Sequence, residues 1–246
     1  MARHICASLD STNAHALRLA SETPRSAHAP AWFLAHEQTS GKGRRARPWL
    51  SPRGNFYATL LLHPTEPATV VALRSFAAAL ALRDALVALT DMPQAFTLKW
   101  PNDVLLNGGK LAGILLESAA SGPAVSHLVI GIGVNLLAAP DATQVEAGAL
   151  KPVSLYQETG LRIEPETLLT HLAAAYAGWE ATFTTQGFGP LRSAWLSHAA
   201  RLGQTISART GTTTQTGTFD TIDATGNLIL ITAEGRQSIP AAEVFF

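Results

Sequence analysis

Residues 99–113 read KWPNDVLLNGGKLAG, a hairpin signal with charged residues built into it. Asn107-Gly108-Gly109 separates two apolar runs, and Asn-Gly pairs supply the positive φ values that tight hairpin turns demand. Residues 96–100, 104–106 and 110–117 therefore read as strands, the last two joined by that turn. Folding back brings Lys110 close to Pro101-Asn102-Asp103. Lys99 and Lys110 stand inside apolar runs, where a charge is costly unless it is paired or bound to a ligand. A lysine facing an anion beside a carboxylate that could hold a metal ion suits phosphoryl or adenylyl transfer, and Asp103 is that carboxylate. An edge hairpin with solvent-facing lysines would show the same residues, and this stretch alone does not separate the two readings.

Upstream, residues 41–47 (GKGRRAR) place four cations and two glycines in seven positions, in a chain that is only 15% charged. Glycines allow backbone N–H groups to approach an anion, and arginine offers a fork of donors matched to phosphate or carboxylate oxygens. The functional reading is a loop that closes over a phosphorylated ligand. The alternatives are a solvated basic loop or a nucleic-acid patch. Gln38 before the run, Trp49 after it and the strand that follows favour the first. With glycines and mutually repelling cations, residues 39–53 are expected to have little order until an anion arrives.

The rest of the chain bounds the answer. Its 246 residues are 47% hydrophobic, enough for a large domain and a small one. Lys plus Arg and Asp plus Glu number 18 each, so no global positive field exists to hold nucleic acid, and phosphate binding must be local. Cys6 is the only cysteine, which excludes an intrachain disulfide and suits a reducing cytoplasm. It reads as a small buried hydrophobe, and the eight histidines show no metal-ligand spacing. The N-terminus lacks an apolar signal core, and the apolar stretch 70–89 is interrupted by Arg74, Arg83 and Asp84, so neither export nor a membrane span is expected.

Asp10-Ser11-Thr12-Asn13 look like capping residues for a helix to residue 21. Residues 31–36 and 55–62 read as strands around a loop at 38–54, followed by a long helix over 67–90. A strand at 125–134 and helices at 153–159, 164–184 and 190–199 follow. From Leu202 the texture becomes Thr, Gly and Ile with frequent turn pairs, which reads as several short strands. We therefore expect residues 1–200 as the main domain and 201–246 as a small β-barrel leaning on it.

Taken together, GKGRRARPW (41–49), KWPND (99–103) and KLAGIL (110–115) resemble the hallmark blocks of biotin protein ligases. Ser11-Thr12-Asn13, Gln38, Ser51-Pro52 with Gly54, and GIGVN (131–135) match further blocks in the expected order, so the resemblance covers nearly the whole chain. It implies an α+β fold: a catalytic domain similar to that of class II aminoacyl-tRNA synthetases, with a mixed β-sheet and helices on one side, plus a small C-terminal β-barrel. It also implies a two-step reaction. Biotin and ATP with Mg2+ give biotinyl-adenylate, and the acyl group then passes to one lysine of a biotin carboxyl carrier protein domain of a biotin-dependent carboxylase.

Carried across, Ser11, Thr12, Asn13 and Gln38 should contact biotin, and Lys42, Gly43 and Arg44 should cover the carboxylate and phosphates. Lys110 and Arg44 are the implied catalytic cations, with Lys99 a second phosphate contact. Trp49 and Asn135 are implied adenine contacts. Asn102 and Asp103 would orient that end or hold magnesium. Gly41, Arg47, Gly113 and Gly133 belong to the same binding blocks. Lys42 stands where the family often has Arg, and Ala46 where Gly is common. Some relatives carry a helix-turn-helix domain. Only ten residues precede Ser11 here, so the short form without a DNA-binding domain is expected, as a monomer or weak homodimer. A lipoate ligase or octanoyltransferase is the nearest enzymatic rival, and a non-catalytic adenylate-binding regulator is the rival from another class.

Overall fold

The computed structural model describes residues 1–22, 29–121, 124–141, 143 and 150–246. Its main sheet has seven strands: β1 (Ala2–Cys6), β2 (Ala31–Ala35), β3 (Phe56–Leu62), β4 (Phe96–Lys99), β5 (Asp103–Leu106), β6 (Gly109–Ser121) and β7 (Ala124–Val134). Their order is β1-β2-β3-β7-β6-β5-β4, with only the β1–β2 pair parallel. The turn between β5 and β6 has Asn107 at φ 50° and Gly108 at φ 82°, the pair of left-handed residues that the Asn-Gly signal demands. Strand β1 was not foreseen. It is a largely exposed edge strand of mixed polarity, and it pairs with residues 31–35 across helix α1 (Thr12–Glu22).

Helices α3 (Arg74–Thr90) and α5 (Pro165–Gln186) cover one face of the sheet, and α6 (Phe188–Ser197) packs on both of them. Helix α1 lies on the other, which corrects the expectation of helices on one side. The reason is visible in β2, whose five residues are all buried. Trp32 and Leu34 join the main core, while Ala31 and Phe33 form a second cluster with Ala16, Leu61 and Val129. A strand apolar on both faces needs both covered. The helix expected over 67–90 is two pieces, α2 (Ala68–Val71) and α3, separated at Ala72 and Leu73. The cations interrupting that apolar run are paired. Buried Arg74 reaches Glu66 at 2.7 Å and Glu180 at 2.8 Å, and Arg83 donates to the carbonyls of Phe96 and Pro93.

Beyond the short helix α4 (Leu155–Thr159) and α5–α6, five antiparallel strands form the second sheet: β8 (Thr205–Thr210), β9 (Thr213–Ile222), β10 (Leu228–Thr232), β11 (Gly235–Ile239) and β12 (Glu243–Phe245). Their order is β11-β10-β9-β8-β12. This sheet does not stand alone. Phe219, Ile222 and Leu228 belong to the same core cluster as Phe76 and Trp195, and the Trp100 indole donates to the Gly226 carbonyl at 3.0 Å. So few residues gain a core by sharing one. Among the described residues no helix is long and apolar enough to cross a membrane.

Candidate active site

A cavity of about 720 Å³ opens on the face of the sheet that α1 occupies. Its floor is β6 and β7, its end wall is the start of α1, and its lid is the loop 41–50. Glycines make the floor low. Gly113 and Gly133 are cross-strand partners, and the Trp49 ring lies on both, so closely that a β-carbon at 133 would collide with the indole. One step along, Gly131 gives the same clearance to the Asn13 amide. The buried Trp49 indole N–H has no hydrogen-bond acceptor.

The α1 end of the cavity is built of neutral polar groups joined by hydrogen bonds. The Asn13 amide nitrogen donates to Glu117 at 2.7 Å, so its Oδ1 faces the fully buried Thr59 hydroxyl at 2.6 Å. An amide oxygen only accepts, so the Thr59 hydroxyl donates there, and the Thr12 hydroxyl lies between the Thr59 oxygen at 2.8 Å and Gln38 Oε1 at 3.1 Å with one proton to share. The Thr12 amide donates to Gln38 Oε1 at 2.8 Å, Gln38 Nε2 to Ser51 Oγ at 3.0 Å, and Ser51 to the Trp49 carbonyl at 2.8 Å. One chain of hydrogen bonds thus runs from β6 to the end of the lid. Such networks lock side chains in one arrangement.

The opposite end is cationic. Six lining side chains are positive, Lys42, Arg44, Arg45, Arg47, Lys99 and Lys110, against the carboxylates of Asp103 and Glu243. In a chain of zero net charge this is a local anion site. Lys110 Nζ lies 2.8 Å from Asp103 Oδ1 and 5.8 Å from the centre of the Trp49 ring, and Lys99 Nζ lies 3.7 Å from Asp103 Oδ2. Burial pushes the Lys99 pKa down, with Asp103 opposing. Burial likewise lowers that of Arg44. With a lysine at each oxygen, Asp103 is a poor match for a divalent cation. Among the described residues no group of three His, Cys, Asp or Glu could hold a metal.

The lid is a tight hairpin. The Gly43 amide donates to the Arg47 carbonyl at 2.8 Å and the Trp49 amide to that of Gly41 at 2.9 Å. A turn at Arg44–Ala46 lies between, with Arg45 and Ala46 both left-handed at φ 57° and 56°.

Of the residues given a binding or catalytic role from the sequence, all but Gly41 line this cavity. Gly41 lies behind it, where a β-carbon would meet Ser51, Trp49 and Gln38. Asn135 is nearly fully buried, and its amide donates to the Val153 carbonyl at 3.2 Å, tying the segment before α4 to the floor. Asn102 likewise donates to the Ile114 carbonyl at 2.6 Å. Sequence reading missed Thr59, Glu117, Tyr57 and Glu243. For Thr59 a signal existed: a lone hydroxyl in the otherwise apolar run FYATLLL.

Residues 6–135 match the biotin/lipoate A/B protein ligase family, and residues 202–246 match the biotin protein ligase C terminal domain. A biotin–acetyl-CoA-carboxylase ligase of Paracoccus denitrificans is 56% identical over 237 residues, 96% of this chain and 97% of that protein. The bifunctional ligase/repressor BirA of Bacillus subtilis is 34% identical over 218 residues, 86% of this chain but 64% of that one. The biotin protein ligase from Aquifex aeolicus, solved in complex with biotin and ATP, aligns with TM-score 0.82 at 26% identity, covering 99% of this chain and 97% of that one.

Proposed function

The chain belongs to the biotin/lipoate A/B protein ligase family, and from that premise we propose how its cavity divides the work of a biotin protein ligase. The enzyme activates biotin with ATP to biotinyl-5'-AMP and passes biotin to a lysine of a biotin carboxyl carrier protein. Activation is required because a carboxylate is a poor electrophile. In the first step a carboxylate oxygen of biotin attacks the α-phosphorus of ATP, the bond to the bridging oxygen breaks, and pyrophosphate leaves. In the second the carrier amine attacks the acyl carbon, AMP leaves with the electron pair, and the amine loses a proton.

The observation that carries the assignment is the change of chemistry along the cavity, from neutral hydrogen-bonding groups at α1 to cations at the β5–β6 turn. The uncharged ring system of biotin belongs at the first end, among Ser11, Thr12, Asn13 and Gln38. Its carboxylate points along the cavity towards Lys110, where two anions must meet. Lys110, with Lys99 behind it, lowers the cost of that meeting. Lys42, Gly43 and Arg44 cover the phosphates, and the Trp49 indole, lying on Gly113 and Gly133, is the surface for adenine. Magnesium enters as part of the MgATP substrate, held mainly by phosphate oxygens, since Asp103 is engaged by two lysines.

We assign the chemistry to residues 1–200. Residues 201–246 serve as a second unit that reaches the cavity with Glu243 and Val244. A biotin carboxyl carrier domain is the protein partner, nucleic acid and membrane are not, and the setting is the cytoplasm. The biotin reading is preferred to lipoate because the C-terminal match and the 56% identical relative are both to biotin ligases. The test is mass spectrometry of a carrier domain after incubation with enzyme, MgATP and biotin. A biotinyl increment on one lysine supports the reading, and an increment only with lipoate overturns it.

A further inference from the structure

A carboxylate stands behind the neutral end of the cavity. Glu117 is exposed on β6, two positions after Leu115 and on the same face of the strand, but Leu115 lines the cavity and Glu117 does not. Its Oε2 accepts from the Asn13 amide nitrogen at 2.7 Å, and the Leu115 carbonyl accepts from the same nitrogen at 3.4 Å. An ionised carboxylate only accepts, so the Asn13 amide can meet it in one orientation, nitrogen towards Glu117 and oxygen towards Thr59. Turned round, the amide would set its oxygen against a carboxylate oxygen with no proton between them.

Inward from there the protons run short. Thr59 gives its proton to Asn13 Oδ1 at 2.6 Å. Thr12 then has one proton for two acceptors, the Thr59 oxygen at 2.8 Å and Gln38 Oε1 at 3.1 Å. Gln38 cannot turn to present a donor, because the Thr12 backbone amide already donates to that oxygen at 2.8 Å. One contact is therefore left as oxygen against oxygen, beside a cavity that Thr12 and Gln38 both line. A ligand N–H donating to Gln38 Oε1 leaves the Thr12 proton for Thr59 and fills the gap. Reversal of the Asn13 amide would fill it from within, since Asn13 would donate to Thr59, Thr59 to Thr12 and Thr12 to Gln38. Glu117 forbids that reversal.

We infer that Glu117 is a positioning residue: from outside the cavity, through Asn13 and Thr59, it sets the α1 end as a hydrogen-bond acceptor and so selects a head group that presents an N–H. The inference rests on the ligase reading for the identity of that group, the cyclic urea of biotin. The cyclic disulfide of lipoate has no N–H to give. A site that must leave an acceptor unpaired rejects a ligand without the matching donor.

The test is calorimetric titration of the full chain with biotin and with its two cyclic-carbamate analogues, in which an oxygen replaces one urea N–H or the other. Wild type should bind at least one carbamate about tenfold or more weakly than biotin. Glu117→Gln keeps the size of the side chain but can meet the Asn13 amide in either orientation. Its preference for biotin over that carbamate should shrink about tenfold, chiefly through weaker binding of biotin. Glu117→Leu, which removes the constraint altogether, should do the same. A side chain that acted only on local structure would weaken biotin and carbamate alike and leave the preference unchanged. An unchanged preference in either variant overturns the inference, as does a wild type that binds both carbamates as tightly as biotin. These outcomes leave the ligase reading standing. A wild type that does not bind biotin at all overturns that reading, and the inference with it.

Discussion

Lys110 and Asp103 face each other across the β5–β6 hairpin, Nζ to Oδ1 at 2.8 Å. The carboxylate fixes the ammonium above the cavity floor, and Lys99 on its other side keeps Asp103 paired when an incoming anion draws Lys110 away.

Lys110→Ala should therefore fold but lose adenylate synthesis. Its side chain is partly exposed and Asp103 keeps Lys99, so the melting temperature should stay within a few degrees. Removing a cation aimed at developing charge costs on the order of a hundredfold or more in rate. Biotin-dependent ATP–pyrophosphate exchange measures it, and a near wild-type rate would remove Lys110 from the first step.

Thr59→Val tests the neutral end. The variant removes the hydroxyl that links Asn13 to Thr12 and leaves the Asn13 amide oxygen without that partner, at about 1–3 kcal/mol, while Thr12 keeps Gln38 Oε1. The KM for biotin should rise roughly tenfold or more while that for ATP changes little, and Thr59→Ser should recover most of the loss. Equal rises in both KM values would mean that the lid, not the head-group end, depends on this chain.

What the sequence made legible follows the range of each interaction. The β5–β6 hairpin was readable because Asn107 and Gly108 set it locally, and the lid because its glycines and cations are contiguous. Strand β1 was not readable, since its partner lies beyond α1 and its residues show no period. The break at Ala72 and Leu73 was masked because both residues are good helix formers themselves and apolar residues continue on either side of them. Glu243 is the sharpest case. The sequence showed mutually repelling cations and suggested a ligand as the missing partner, whereas part of the counter-charge comes from a residue 196 positions after Arg47.

Acid should expose that counter-charge. Bonding to Arg47, then to Arg209, holds the Glu243 carboxyl at about 2 against the ordinary 4.5, with burial opposing. A depressed folded-state pKa stabilises the protein above the unfolded value, and the contribution is lost as pH falls through the folded one. Chemical denaturation should find wild type more stable than Glu243→Gln by a constant margin above about pH 4.5, shrinking towards zero near pH 2. A margin independent of pH would mean that the glutamate acts through packing alone.

Arg44 has a different task from Lys110, because a reactive mixed anhydride is useful only if it is held until the carrier lysine arrives. Its guanidinium is partly buried at the cationic end and tethered to the Ala242 carbonyl, so it can bind adenylate phosphate while helping the lid stay down. Loss of the fork should weaken retention more than synthesis, since charge-assisted contacts stabilise the closed lid while Lys110 and Lys99 remain to meet the reacting anions. Arg44→Gly is expected to make biotinyl-adenylate and release it, so that lysines of an unrelated bystander protein become labelled. Such labelling should fall when the bystander is diluted or free amine is added, as for a diffusing electrophile. If the variant forms no adenylate, Arg44 belongs to the first step. If it labels only the carrier, retention rests on the rest of the lid, with Arg45 and Arg47 on Glu243 the residues to test next.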